Sequence, residues 1–93
     1  MSDKRLPFSR EKIEKVIEEH PTPFHIYDEK AIRENARALK KAFSWASGFR
    51  EFFAVKALPN PHILAITKEE GFGTDCSSLA ELMMSERVGL RGE

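Results

Sequence analysis

The amino-acid sequence predicts an α/β fold with parallel strands, preceded by a helix. Apolar residues recur at helical spacing in four separate stretches. Short β-branched and aromatic runs stand between them. One run, Phe52 to Leu58, is apolar except for Lys56 and does not alternate, which suits a strand covered on both faces. After the first helix the order is strand, helix, strand, helix, strand, helix. Such alternation implies parallel strands joined by right-handed crossovers.

The first element runs from about Ser9 to Glu19. Ser9 is suited to cap it, and Phe8 and Ile13 stand at staple spacing around that cap. Ile13, Val16 and Ile17 form a narrow apolar stripe among charges, the pattern of a surface helix lying on something. His20-Pro21-Thr22-Pro23 ends it, because proline removes a donor and restricts the residue before it. Phe24 to Tyr27 is then expected to be a short strand. Asp28 caps a second helix, about Glu29 to Phe43, with Ile32, Ala36, Leu39 and Phe43 on its inner face. Ser44 to Gly48 breaks it, and Glu51 to Leu58 is the next strand. Asn60 and Pro61 are placed as N-cap and first residue of a third helix, with Ile63, Leu64 and Ile66 buried and Gly71 as its stop. Phe72 to Ser77 is another short strand. Ser78 to Val88 is a fourth helix closed by Gly89, and Ser78 with Glu81 fits a capping box.

Length and composition bound the function. Ninety-three residues make one small domain at most, with a modest core. Lys and Arg number 15 and Asp and Glu number 15, so no net field gathers nucleic acid or an anionic membrane. The single cysteine, Cys76, cannot form an internal disulfide, and no Cys/His cluster has zinc spacing, so no metal is expected. The charged start Met1 to Arg5 has no apolar run after it, and no stretch approaches the ~18 to 20 apolar residues of a membrane span. A cytoplasmic setting fits these features.

Lys56 is the residue that does not fit its surroundings, standing between Val55 and Ala57 near the end of an apolar strand. A buried lysine is expected to respond by losing its proton, and a neutral amine attacks carbonyl groups. The ordinary alternative is a strand-end lysine whose head reaches water. In parallel α/β folds ligands bind at the carboxyl ends of the strands. Lys56 lies at such an end, and Asp75 lies near the same end of the next strand.

Ala54-Val55-Lys56-Ala57, Pro59-Asn60-Pro61 and the run Gly71 to Glu81 closely resemble the alanine-racemase-like pyridoxal phosphate enzymes, above all the ornithine/diaminopimelate/arginine decarboxylases. The opening Thr22-Pro23-Phe24-His25-Ile26-Tyr27-Asp28 resembles the lead-in strand of that group. The resemblance spans roughly residues 22 to 90. It implies an incomplete TIM (β/α)8 barrel: residues 1–21 a leading helix, 22–28 the lead-in strand, and 29–93 a helix plus the first two barrel units. It also implies that Lys56 carries pyridoxal phosphate covalently, with Asp75, Ala54 and Glu81 beside the cofactor. For Asp75 a local turn bond is the competing role, for Glu81 the helix cap, and for Ala54 plain packing. The implied activity is decarboxylation of an amino acid, with meso-diaminopimelate the first choice and ornithine, arginine or a carboxylated polyamine as alternatives. The implied partners are that substrate and a second copy of the full-length chain. A non-catalytic pyridoxal phosphate carrier and an inactive docking module are the competing readings.

The resemblance places the phosphate loop, the acidic partner of the pyridine nitrogen and a C-terminal β domain after Glu93. The 93 residues alone are therefore expected to bind pyridoxal phosphate weakly and to release no carbon dioxide. Leu58 stands where many relatives have asparagine, which bears on branch and substrate. Cys76 is expected to be a small buried hydrophobe, His25 and His62 unpaired surface residues, and Phe52, Phe53 and Phe72 core.

Overall fold

The computed structural model describes residues 4–92, so the outermost residues of the charged start and Glu93 lie outside the described residues. In order the chain forms α1 (Arg10–Glu19), α2 (Glu29–Ala42), β1 (Phe52–Ala54), a single 3-10 turn (Val55–Ala57), α3 (Pro61–Glu69), β2 (Gly73–Asp75) and α4 (Leu79–Arg87). β1 and β2 pair in parallel, with Phe52 opposite Gly73, Phe53 opposite Thr74 and Ala54 opposite Asp75.

Each helix starts where its cap residue stands. Ser9 Oγ accepts the Lys12 N–H at 3.2 Å, and Asp28 Oδ1 accepts the Ala31 N–H at 3.1 Å. Asn60 Oδ1 accepts the His62 N–H at 2.9 Å, and Ser78 Oγ accepts the Glu81 N–H at 3.2 Å. Each bond satisfies a backbone donor that has no partner inside the helix.

α3 and α4 end in the same way. Gly71 and Gly89 both adopt φ +88°, which a residue without Cβ does at no steric penalty. Beyond them, Phe72 N–H donates to Thr67 O at 3.0 Å and Leu90 N–H donates to Ser85 O at 2.9 Å, closing a Schellman motif on each helix. A lysine from the preceding helix also reaches each cap: Lys40 Nζ donates to Glu70 O and Lys68 Nζ donates to Val88 O, both at 3.0 Å.

The core sits under α3. Ile63, Leu64 and Ile66 are buried there, joined by Val55 from the turn after β1 and Ala36 from α2. An ion network closes the α2–α3 seam. Arg33 Nη2 meets Glu69 at 2.6 Å and Nη1 meets Glu70 at 2.9 Å, while Arg37 Nε meets Glu70 at 2.7 Å. The Glu70 side chain is only 8% exposed. Hydrogen bonds from Arg37 and then Arg33 hold its carboxyl below the ordinary value.

Three expectations are corrected. Phe24 to Tyr27 forms no strand: the sequence suits an extended conformation, but a strand also needs a hydrogen-bonded neighbour, and among the described residues none pairs with it. The β1 strand is three residues rather than eight, because the chain turns into 3-10 geometry at Val55. Phe52, expected in the core, is 50% exposed. Its ring covers Gly73, where an added Cβ would come within 2.6 Å of it, and the Arg50 guanidinium lies over the ring 5.7 Å from its centre.

α1 buries no residue. Its Ile13 and Val16, with Phe8 just before it, border a hollow shared with Ile26 and Tyr27. No helix among the described residues is long and apolar enough to cross a membrane.

Candidate functional site

In a parallel pair both strands run out at the same end, so the segments after Ala54 and Asp75 emerge side by side. After Ala54 the backbone tightens, and Leu58 N–H donates to Val55 O at 3.1 Å. Val55 is fully buried and anchors this turn. Successive side chains in 3-10 geometry are rotated by about a third of a turn. The residue after the anchored valine, Lys56, therefore swings outward, and it is exposed. The expectation that Lys56 lies buried in an apolar strand is thus corrected. Val55 takes the buried place, and the case for Lys56 passes from burial to position.

Asp75 closes β2 and is also exposed, and it makes no ion pair with Lys56. Ala54, its register partner, is half-buried. Cys76 is half-buried, with Sγ 3.2 Å from Ser85 Oγ and 3.8 Å from Thr74 Oγ1, in keeping with a small packing residue.

Glu81 is the most constrained carboxylate at this end. Ser78 Oγ donates to its Oε2 at 2.6 Å and Ser77 Oγ donates to the same oxygen at 3.1 Å. The Ser77 N–H donates to Oε1 at 3.4 Å. The Ser78 hydroxyl first, with Ser77 and the positive charge of Lys56 adding to it, holds the carboxyl below its ordinary value. The expected capping box forms in half: Ser78 serves the Glu81 N–H, whereas the Glu81 carboxylate goes to Ser77 rather than to the Ser78 backbone.

The remaining polar candidates are elsewhere. His62 Nε2 lies 3.8 Å from Glu29 Oε1, so it does have a neighbour, contrary to expectation, but both are well exposed. His25 lies by Tyr27, ring centres 6.4 Å apart. Among the described residues no group of three or more His, Cys, Asp or Glu side chains could hold a metal ion. An open trough follows β2 and α4, lined by Phe52, Gly73, Asp75, Leu82 and Leu90 among others. Of the site residues only Asp75 borders it, so the trough belongs to the uncovered flank of the sheet rather than to the lysine.

What the end of the sheet offers is an accessible primary amine on the segment after β1 and two carboxylates, Asp75 and Glu81, at the end of β2 and on the segment that follows it. That set fits the aldehyde end of pyridoxal phosphate, which needs an amine that can be reached and charge that can orient it. Reasoning from sequence missed Ser77. Its signal was a pair of serines ahead of a helix, of which one suffices for a cap.

Comparison with known proteins adds to this geometry. Residues 29–93 match the family model of the pyridoxal binding domain of pyridoxal-dependent decarboxylases. The chain is 52% identical to Protein TabA of Pseudomonas amygdali pv. tabaci over 87% of its own length and 19% of that protein's. It is 40% identical to a diaminopimelate decarboxylase of Methanothermobacter thermautotrophicus over 80% of its length and 18% of the relative's. With a diaminopimelate decarboxylase of Bacteroides thetaiotaomicron the identity is 37%, over 73% of this chain and 18% of the other. The chain thus spans about a fifth of the length of these curated relatives.

Proposed function

Because the chain belongs to the family of the pyridoxal binding domain of pyridoxal-dependent decarboxylases, we propose that Lys56 is its attachment point for pyridoxal phosphate, and that the protein built on it removes carbon dioxide from a basic or dibasic amino acid. The α/β fold with parallel strands is the opening part of the barrel of that family. The observation that carries the proposal is the pairing of Ala54 with Asp75, which brings the segments bearing Lys56, Asp75 and Glu81 out at one end of the sheet.

When bound, the cofactor supplies an electron sink for the electron pair left as carbon dioxide departs. The chain's own residues present and orient. Lys56 offers its amine on a turn anchored by Val55. Asp75 and Glu81 supply negative charge at the end of β2 and on the segment that follows it. Ala54 is small, which leaves room above the end of β1. Residues 1–93 then form the first part of a barrel domain, divided as a leading helix, a lead-in segment at 22–28 and two β/α units. The remaining units, a second copy of the complete chain and a cytoplasmic setting complete the proposal.

For the substrate the reading is meso-diaminopimelate. Its support is the set of relatives named diaminopimelate decarboxylase, 32% to 40% identical to this chain. Ornithine and arginine belong in the same assay, since the relative at 52% identity bears a name that states no substrate.

The test is chemical. After treatment with pyridoxal phosphate and borohydride, peptide mass mapping should find the label concentrated on Lys56, and Lys56→Ala should remove it. Label spread evenly over the exposed lysines would sink the assignment. The complete protein should release carbon dioxide from meso-diaminopimelate faster than from ornithine or arginine, and the 93-residue chain from none of them.

A further inference from the structure

The two faces of the sheet are unlike. Successive side chains of a strand point to opposite faces. The parallel register therefore puts Phe53 and Thr74 on one face, and Phe52, Ala54, Gly73 and Asp75 on the other. The Thr74 face carries α4: Cys76 Sγ lies 3.8 Å from Thr74 Oγ1 and 3.2 Å from Ser85 Oγ of that helix. The opposite face is the barer one, with Asp75 exposed and Phe52 50% exposed.

Phe52 is half open to water, yet its ring is held in one place. It crosses from β1 to lie over Gly73 of β2, where an added Cβ would stand 2.6 Å from one ring carbon and 2.7 Å from the next. The Arg50 guanidinium lies over the same ring, 5.7 Å from its centre. Gly73 is not among the glycines with positive φ, so its backbone does not call for glycine. Glycine inside a strand weakens it and marks a place of close approach. Here the approaching group is the Phe52 ring, and any side chain at position 73 would make it move.

Two residues along a strand advance by about 6.6 Å. Phe52 and Gly73 thus form the layer directly beneath Ala54 and Asp75, on the same face. Phe52, Gly73 and Asp75 also border one open trough. We propose that Phe52, laid across Gly73, is the floor against which the pyridine ring of pyridoxal phosphate rests, and that Gly73 is the positioning residue that lets the phenyl ring lie there. The inference deepens the proposed function and rests on its placing of the cofactor by Ala54 and Asp75. An aromatic floor suits a flat aromatic ring, because two such rings attract beyond the gain from burial alone.

The probe is pyridoxine 5'-phosphate, which keeps the ring and the phosphate but has an alcohol in place of the aldehyde and so cannot react with an amine. NMR titration of the 93-residue chain at millimolar probe should move the Phe52 ring, Gly73 and Asp75 resonances. The Trp45 indole, exposed in the turn after α2, is the reference and should stay in place. Phe52→Ala should weaken binding by about fivefold, and Phe52→Tyr, which keeps the ring, should restore it. Gly73→Ala should also weaken binding, but should add nothing to Phe52→Ala, since Gly73 acts through the ring. Far-UV circular dichroism checks each variant. Where Gly73→Ala alters the spectrum, the two Phe52 variants decide.

Phe52 and Gly73 resonances that ignore the probe would overturn the inference. So would a Trp45 shift as large as theirs, the mark of indiscriminate stacking, or an affinity indifferent to Phe52→Ala. The attachment reading is tested apart from this, because the probe does not need the amine. If Phe52 and Gly73 respond in Lys56→Met as in the parent chain while pyridoxal phosphate labels no lysine preferentially, the floor stands and the attachment role of Lys56 fails. If Lys56 is labelled while the floor residues stay silent, the floor alone falls.

Discussion

α3 and α4 are near copies in local design and opposites in burial. Each has nine residues, follows a polar cap and is closed by a glycine at φ +88° in a Schellman motif. Each C-cap carbonyl receives a lysine from the helix before it. Yet α3 buries Ile63, Leu64, Ile66 and Thr67, whereas α4 buries only Ser85 and leaves Leu79, Leu82 and Met83 between 52% and 72% exposed. The difference lies in their neighbours. α3 packs on α2, on α4 and on β2. α4 packs substantially on α3 alone. Local signals decide where a helix starts and stops, and adjoining elements decide whether its apolar face is covered.

The largest test of this contrast is a pair of truncations. Leu64 is fully buried, so Leu64→Ala should lower stability by about 3 kcal/mol, the transfer loss plus the cavity left behind. Leu82 is 58% exposed, so Leu82→Ala in the 93-residue chain should stay within about 0.5 kcal/mol. Urea denaturation of both variants measures the gap. Equal losses would mean that α4 is covered in solution, by a second copy or by another surface.

The seam between α2 and α3 gives the next effect, and it carries a sign. The Glu70 carboxyl is held below its ordinary value by Arg37 and Arg33. Its stabilisation is therefore fully present above the unfolded carboxylate range and lost as pH falls through the depressed folded value. Arg33 and Arg37 are pushed the other way, upward, and stay charged throughout. Thermal melts should fall in midpoint on acidification below about pH 4.5, and Glu70→Gln should flatten most of that slope. Glu81, also depressed, adds a slope of the same sign. A midpoint that rises on acidification would show that the network is absent.

How far all this was legible in the sequence follows the same division. Ser9, Asp28, Asn60 and Ser78 were identifiable as caps because a cap bond spans two or three residues and needs nothing distant. Gly71 and Gly89 were identifiable as stops for the same reason. The errors came where a neighbour decides. Phe24 to Tyr27 has strand composition but no ladder partner among the described residues, and Phe52 is apolar but half exposed, with a guanidinium rather than apolar side chains over its ring. Lys56 was recognised by its type and by the end of the strand it occupies. Its exposure was not, because a 3-10 turn starting at Val55 leaves no periodicity to read in three residues. Ser77 was passed over because its partner is a side chain whose choice between two backbone positions is settled only in three dimensions.

The smallest effect is also the one on which the comparison rests, because it asks whether the two helices really share their closing device. Alanine at Gly71 or Gly89 would have to adopt φ +88°, where a Cβ crowds the following carbonyl. The added Cβ would also stand 2.6 Å from Lys40 Nζ at Gly71 and 2.5 Å from Lys68 Nζ at Gly89. Each lysine head would have to swing away and give up its bond to the cap carbonyl, an easy movement for a flexible exposed side chain. The backbone strain therefore dominates, and each substitution should cost about 1 kcal/mol. Because the strain is local, the two losses should agree although the surroundings of the helices differ so much. Urea midpoints for Gly71→Ala and Gly89→Ala measure this directly. A loss at Gly71 several times that at Gly89 would mean that α4 is not closed as α3 is, and that burial and local design are not separable here.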